Sequence, residues 1–238
     1  MKQLLLVTAI SFSSLAYADN GFYTSLKAGI SDTKLKSNEV NYAYPEDDYS
    51  EKYTQNNQTK SIYPNISVAV GYDFSVISPV NVRAELEYNY KDSTQFNSNT
   101  NQIITTEGDD SESQTGDELL FSNKVKAESL MLNSYYDFKN TSKFTPYISA
   151  GVGVTRVKNE STDIEFPDYS FSKSDNHFTW SAGVGVAYNI TNNVALDASY
   201  RYLNAGKFEF SQDFDDDSQS VKYKLSSNDY SLGIRYNF

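Results

Sequence analysis

The stretch YSLGIRYNF, residues 230–238, decides the fold class because apolar and polar side chains alternate along it. Every second residue from Tyr230 to Phe238 is large and apolar or aromatic, and the residues between are serine, glycine, arginine and asparagine. Successive side chains of a β-strand point to opposite faces. One aromatic-rich face and one polar face are typical of a strand that separates lipid from the lumen of a transmembrane β-barrel.

Seven further segments repeat this two-residue period, which predicts eight strands. Aromatic residues gather at the ends of the apolar faces, whereas valine, leucine and alanine occupy their centres. Two aromatic girdles around an aliphatic band match a bilayer, and a soluble sandwich core would not sort residues by depth. The predicted strands cover residues 22–31, 65–74, 80–90, 125–138, 146–157, 177–190, 194–203 and 229–238.

The connections between these strands alternate strictly between short and long. The short ones are residues 75–79, 139–143 and 191–193. The long ones are residues 32–61, 91–123, 158–176 and 204–228, so all of them leave from one end. The sequence therefore predicts an all-β fold: an eight-stranded antiparallel transmembrane up-and-down β-barrel with four long extracellular loops and periplasmic termini.

The first 18 residues predict an export signal. Lys2 supplies the positive charge, a short apolar stretch follows, and a small residue, Ala18, ends the cleavage motif. We expect cleavage between Ala18 and Asp19, which leaves residues 19–238 as one monomeric barrel domain in the outer membrane of a Gram-negative bacterium. The chain contains no cysteine, so no disulfide holds the fold.

The charge of the chain narrows its range of partners. A net charge of -11 argues against nucleic acid, whose phosphates it would repel. The four predicted loops hold 23 acidic and 10 basic residues with few aliphatic ones, so we expect solvated segments that meet a host or matrix ligand. The loop aromatics either contact such a partner or belong to strands that extend beyond the membrane: Tyr42, Tyr44, Tyr49, Tyr53, Tyr169 and Phe171.

The inward-facing positions of the predicted strands carry four basic and five acidic residues. They are Lys27, Asp73, Arg83, Glu85, Glu87, Asp137, Asp197, Arg201 and Arg235. An eight-stranded barrel is just wide enough for side chains to fill it, and unpaired buried ions are costly. We therefore predict a mutual ion network that plugs the lumen; the alternative is a small porin-like channel.

One basic group is predicted on the outer wall at the external rim. Lys124 and Lys126 begin the fourth predicted strand, and Arg156 ends its hairpin neighbour. Cations at this height either bind lipopolysaccharide phosphates through charge-assisted hydrogen bonds or are ordinary snorkelling side chains.

Catalytic and metal motifs are weak in this sequence. His177 is the single histidine, and a histidine beside serine and carboxylate residues is the minimum for a hydrolase. The acidic run of Asp213, Asp215, Asp216 and Asp217 resembles a calcium loop, but Ser218 and Lys224 stand where that loop needs glycine and glutamate. We predict no enzymatic activity, no metal site and no cofactor.

Several motifs resemble the opacity-protein and OmpA-like family of small outer-membrane barrels. They are GYDF at 71–74, YYDF at 135–138, PYISAGVGV at 146–154 and the aromatic final strand. The resemblance implies a surface antigen, an adhesin or an envelope-stabilising protein. It also implies that Tyr236 and Phe238 form the signal read by the outer-membrane assembly machinery.

Overall fold

A computed structural model describes the backbone of most of the chain. The described residues are 21–44, 49–54, 58–100, 102–107, 110–114, 118–163, 170–214 and 217–238. Their side chains are described at 21–34, 60–93, 124–160, 172–208, 222 and 224–238. The predicted export signal, with Ala18 and Asp19, lies outside these residues and stays a prediction.

Almost all of the described chain is β-strand. The strands are β1 (Phe22–Tyr44), β2 (Tyr49–Thr54), β3 (Gln58–Asp73), β4 (Val82–Thr100), β5 (Gln102–Glu107), β6 (Asp110–Gln114), β7 (Glu118–Asp137), β8 (Phe144–Asp163), β9 (Ser170–Asn189), β10 (Val194–Phe214) and β11 (Asp217–Asn237). A 3-10 turn, Phe74–Val76, follows β3. Within the described residues, no helix is long and apolar enough to cross a membrane.

Eight of the described strands form a closed antiparallel barrel. Hydrogen-bonded neighbours run in the order β11, β10, β9, β8, β7, β4, β3 and β1, and β11 pairs with β1 to close the ring. Closure begins at Tyr23 opposite Asn237 and continues to Ala43 opposite Ser218. The three short strands extend the sheet from β1 through β2 and β5 to β6. The predicted eight-stranded transmembrane barrel is confirmed.

The segments predicted as four long loops are largely β-strand where the structure describes them, so the strands extend well beyond their predicted external ends. The predicted loop 204–228 is the clearest case: β10 and β11 stay paired as far as Phe214 opposite Asp217. The predicted loop 91–123 likewise continues the pairing of β4 with β7. Backbone hydrogen bonds between strands need no apolar side chains, so the pairing continues where the hydrophobic alternation ends.

The two faces of the barrel invert the arrangement of a soluble protein. Leu26, Ile66 and Leu132 point outward and are about half exposed or more. Polar and charged residues such as Glu85 and Asn89 point inward and are 1% exposed. Polar atoms are costly in lipid, and the lumen side gives them hydrogen-bond partners.

Aromatic pairs mark both edges of the outward apolar band. At the periplasmic edge, Tyr136 packs against Phe138 with ring centres 5.2 Å apart, and similar pairs join Tyr72 to Phe74 and Tyr236 to Phe238. At the external edge the pairs are Tyr200 with Tyr230 and Trp180 with Tyr202. Amphipathic rings favour the headgroup level, so the pairs frame a bilayer.

Two glycines make the lumen wide enough for tyrosine rings. A Cβ atom at Gly71 would lie 2.2 Å from the ring of Tyr23, and one at Gly185 would lie 2.3 Å from the ring of Tyr147. Both tyrosines are almost fully buried. These close approaches position phenol groups beside the charged residues of the lumen.

Candidate functional site: the charged lumen and the external rim

The lumen side of the barrel carries the nine ionic residues that the sequence predicted. It also carries two that were not predicted. Seven of the nine predicted residues are buried, while Arg201 and Asp73 are partly exposed. The two additional residues are Lys91 and Asp229, exposed by only 3% and 2%.

The external half of the lumen is organised around Asp229. Its carboxylate accepts hydrogen bonds from the ammonium of Lys91 at 2.7 and 2.9 Å and from the hydroxyl of Ser31 at 2.7 Å. The guanidinium of Arg201 lies 3.4 Å from the same carboxylate and donates to Glu87 at 2.6 Å. Arg201 therefore bridges two acids on different strands.

The ion chain continues towards the periplasm through Lys27. Its ammonium lies 3.6 Å from Glu87 and 3.2 Å from Glu85. Glu85 also accepts hydrogen bonds from the hydroxyls of Tyr135, at 2.9 Å, and Ser25, at 3.3 Å. Three cations and three anions thus alternate without a break from Lys91 to Glu85, which satisfies charges that would be costly if buried alone.

A separate ion pair lies closer to the periplasmic end of the barrel. Arg83 donates two hydrogen bonds to Asp137, at 2.7 and 2.9 Å, in a bidentate geometry. The guanidinium also lies 4.5 Å from the ring centre of Tyr135 and donates to the hydroxyl of Tyr23 at 3.3 Å. The guanidinium carbon of Arg235 lies 5.6 Å from the ring centre of Tyr23.

Asp197 and Asp73, the remaining two predicted lumen residues, also lie outside the chain of ion pairs that runs from Lys91 to Glu85. Asp197 accepts a hydrogen bond from the hydroxyl of Tyr147 at 2.7 Å. Asp73 lies at the periplasmic mouth, where it accepts from Lys139 at 3.2 Å and from the backbone amide of Ser75 at 2.9 Å. Asp73 therefore caps a turn, and it is further from the lumen centre than the sequence pattern suggested.

Lys91 and Asp229 were missed because the inward alternation was not followed to the external end of each strand. Lys91 falls one residue beyond the predicted end of its strand, although it continues the inward alternation of Glu85, Glu87 and Asn89. Asp229 stands at the first position of its predicted strand and shares the inward parity of Arg235. Extending each alternation by one step would have found both.

Little space remains at the centre of the lumen. A cavity of about 20 Å³ lies among Lys27, Glu87, Tyr135, Tyr147 and Arg201. This volume holds about one water molecule. Side chains therefore fill the barrel at this depth, and a wider space of about 370 Å³ opens at the periplasmic mouth, next to Asp73 and Arg235.

His177 lies at the external end of the lumen. Its ring donates a hydrogen bond from Nε2 to Asp175 at 2.7 Å, and the ring centre lies 4.2 Å from that of Phe208. This hydrogen bond holds the pKa of the Asp175 carboxyl below its ordinary value. Among the side chains that the structure describes, no serine hydroxyl is hydrogen-bonded to the imidazole.

The predicted rim group lies on the outer wall of β7 and β8. Lys124 and Arg156 are exposed and Lys126 is half-buried. Lys126 forms an ion pair of 2.8 Å with Glu128, whose partner in the strand register is Arg156. Acidic neighbours thus offset part of the positive charge, and lipopolysaccharide contact at this group stays a prediction.

The predicted acidic run lies outside the described side chains. Asp215 and Asp216 of the acidic run are not among the described residues, and Asp213 and Asp217 are described as backbone only. Within the described residues, no cluster of three or more histidine, cysteine or acidic side chains could hold a metal ion. Phe238 donates a backbone hydrogen bond to Phe22 at 3.0 Å, and its role in assembly stays a prediction.

An outward apolar band, two aromatic girdles and a polar lumen within a closed barrel define a bacterial outer-membrane β-barrel protein. The comparison with known families agrees. Residues 3–238 match the family model of the outer membrane protein beta-barrel domain, and the chain belongs to that family. It is located in the outer membrane of a Gram-negative bacterium, as the sequence predicted.

Individual relatives cover almost the whole chain. The outer membrane protein PagN of Salmonella typhimurium is 35% identical over 96% of this chain and 95% of its own length. The opacity protein opA58 of Neisseria gonorrhoeae is 27% identical over 100% of this chain and 98% of its own. The crystal structure of Neisserial surface protein A covers 92% of this chain and 97% of its own, with 19% identity and a TM-score of 0.54. The predicted resemblance to opacity proteins is confirmed.

Proposed function

We propose that this outer-membrane surface protein is a non-catalytic adhesin, whose external strand extensions bind a host or matrix ligand. The observation that carries the proposal is the length of the strands. A transmembrane strand needs about 9–11 residues. β1 has 23 residues and β10 has 21. About half of each strand is therefore more than a membrane anchor requires.

The extensions form an ordered surface outside the membrane. β10 continues from the girdle residue Tyr202 to Phe214, which at about 3.3 Å per residue is a length of roughly 40 Å along the strand. β2, β5 and β6 add further pairing to the same sheet. A preordered sheet loses little conformational entropy when it binds a partner, which favours recognition by this part of the molecule.

The charge of the extensions indicates the kind of ligand. The segments beyond the predicted membrane strands hold 23 acidic and 10 basic residues. Complementary charge directs encounter between proteins, so we expect a ligand with a basic surface and binding that weakens as salt concentration rises.

An envelope-stabilising role is the second candidate, because the lumen is braced by buried ion pairs. The two roles differ in which part of the molecule is needed. Adhesion requires the extensions, whereas envelope stability requires only the membrane barrel.

Shortening each hairpin tests the choice. Residues 37–57, 95–124, 161–171 and 210–221 are each replaced by a two-residue turn, so that the flanking paired residues still close the barrel. We expect adhesion to host cells or matrix proteins to fall for at least one variant, while detergent resistance of the cells stays unchanged. Unchanged adhesion in all four variants together with weakened envelopes would instead support the structural role.

A further inference from the structure

Four lysines lie on the outer wall of the barrel, just beyond the external aromatic girdle. They are carried by four adjacent strands: Lys207 on β10, Lys224 on β11, Lys34 on β1 and Lys60 on β3. Lys60, Lys207 and Lys224 are exposed, and Lys34 is half-buried. We call these four residues the lysine belt.

The strand register places the lysines directly opposite one another. Lys34 pairs with Lys60, and Lys207 pairs with Lys224. Lys36 of β1 is also in register with Lys224. Like charges directly opposite on neighbouring strands repel and destabilise a sheet. An anion that binds between the strands offsets this repulsion.

The lysine belt lacks the internal compensation found elsewhere on the rim. Among the described side chains, no carboxylate forms an ion pair with any of the four ammonium groups. On the β7–β8 side, by contrast, Lys126 pairs with Glu128 and Lys158 pairs with Glu160, both at 2.8 Å. Acidic residues lie close to the belt but not directly opposite its lysines: Asp32 is two residues before Lys34 on β1, and the register places Glu39 and Glu209 opposite Lys222.

A β-bulge turns Lys207 towards the outer face. The register shifts between Asn204 and Gly206, and Gly206 has a φ of 80°. The amide of Gly206 donates to the side chain of Asn204 at 2.9 Å. Before the bulge odd-numbered residues face the lumen, whereas beyond it Phe208 is buried inside and Lys207 is exposed. A bulge can redirect a side chain in this way.

An apolar groove lies below the lysine belt, and three of its four strands also carry belt lysines. It is shallow and open to the lipid, and it extends across β9, β10, β11 and β1. Ala28 and Ala198 are among its lining residues, with Tyr200, Tyr230 and Leu232 alongside them. The groove faces the lipid at the external side of the apolar band. A hydrocarbon chain is the ligand that this surface suits.

The distance between belt and groove matches one amphipathic lipid. Lys34 is four residues beyond Ile30, a residue of the groove on the same strand. At about 3.3 Å per residue and a strand tilt of roughly 40°, the ammonium level lies on the order of 10 Å above the groove. A lipid with acyl chains in the groove and phosphates at the level of the lysines would fit this spacing. The phosphorylated lipid of the outer leaflet has this arrangement.

We propose that the outward face of β10, β11, β1 and β3 is a lipopolysaccharide site. The lysine belt binds the phosphate groups, and the groove beside Ala28 and Ala198 holds an acyl chain. Lysine donates charge-assisted hydrogen bonds to phosphate, and those bonds relieve the repulsion between the paired lysines. The site rests on the membrane location of the barrel and is independent of the adhesin proposal.

The test titrates lipopolysaccharide onto the full-length protein in phosphatidylcholine nanodiscs. The belt variant carries Lys60→Gln, Lys207→Gln and Lys224→Gln, and the matched control carries Lys139→Gln, Lys143→Gln and Lys173→Gln, three exposed lysines away from the proposed site. We expect the belt variant to bind at least about tenfold more weakly and the control to bind within about twofold of the wild type. Heat-dependent gel mobility verifies that each variant is folded.

A second arm needs no variant. Wild-type protein is titrated with dephosphorylated and with deacylated lipopolysaccharide, and both are expected to bind more weakly than the intact lipid. Equal binding of the dephosphorylated lipid, or a loss in the control variant as large as that in the belt variant, would overturn the proposal. The proposal would also be overturned if the belt variant lost binding to a soluble sulfated polysaccharide but kept its binding to lipopolysaccharide.

Discussion

Asp229 is the residue on which the external half of the lumen depends, because it pairs with both Lys91 and Arg201. Replacing Asp229 by Asn keeps its shape and removes its charge, which leaves the buried Lys91 without its ion-pair partner and the partly exposed Arg201 with Glu87 alone. Breaking a buried pair in this way costs about 3 kcal/mol. We expect that loss in the free energy of unfolding, measured by urea titration in lipid vesicles.

The half-exposed pair of Lys126 and Glu128 provides the control for Asp229→Asn. Glu128→Gln removes a charge of the same sign at the rim, where solvent screens the pair, and is expected to cost less than about 1 kcal/mol. Equal losses in the two variants would mean that the lumen is wet and that burial does not strengthen its ion pairs.

The hydrogen bond between His177 and Asp175 has a consequence that depends on pH. It holds the pKa of Asp175 below the ordinary value of 3.8, so this bond stabilises the fold above that value and its contribution is lost as the pH falls. His177→Ala is expected to raise the pKa of Asp175. A carboxylate NMR titration measures the change, and Asn176→Ala, which leaves the His177 hydrogen bond in place, is the control. An unchanged pKa in His177→Ala would contradict the assignment.

Residue positions near the periplasm were predictable from the sequence, whereas those near the outside were not. The inward alternation of Arg83, Glu85 and Glu87 is uninterrupted between apolar neighbours, so their shared face follows from the period alone. Which acid pairs with which base does not follow, because partners lie on strands far apart in sequence: Lys91 and Asp229 are separated by 138 residues.

The predicted strand ends show the same contrast between the periplasmic and the external side. Their periplasmic ends were predicted to within one to two residues in most cases, as for Asp137, Asn189 and Val194. The membrane edge and the turn residues coincide there, so hydrophobicity and turn chemistry change together. At the external ends both strand faces meet water, and side-chain alternation no longer reports the backbone pairing that carries β10 to Phe214.

The bulge in β10 is expected to depend on the left-handed backbone of Gly206. Asparagine tolerates a positive φ better than alanine, and valine tolerates it least. We expect unfolding free energies to fall in the order Gly, Asn, Ala, Val, with Ala about 1 kcal/mol below the wild type. A Cβ at this position would lie 3.7 Å from the carbonyl oxygen of Phe178, an ordinary van der Waals contact, so steric clash does not explain the order. Equal stability of the Asn and Val variants would contradict it.

At the scale of the whole molecule, the barrel combines a filled lumen with a surface of separated charge. Lysines gather close to the membrane, and the acidic residues of segments such as 107–118 lie further along the chain from it. The filled lumen argues against a pore. The separation of charge is consistent with the two proposed partners, a lipid near the membrane and a ligand further out.

Planar-bilayer recording tests the filled lumen. We expect no steady conductance at either polarity, since the central cavity holds about one water molecule. An open porin reconstituted in the same way is the positive control. A reproducible current that disappears in Arg83→Ser or Glu85→Ser would show that ions pass through the charged lumen.

The orientation of the apolar face towards lipid is the claim on which the rest depends, and β7 tests it most directly. The chain has no cysteine, so single cysteines at 129–132 can each carry a spin label without background. Leu130 and Leu132 are 53% and 57% exposed, whereas Ser129 and Met131 are 2% and 0% exposed. In bilayers, we predict high collision rates with oxygen at 130 and 132 and low rates at 129 and 131. High rates at 129 and 131, or equal rates at all four positions, would contradict the account.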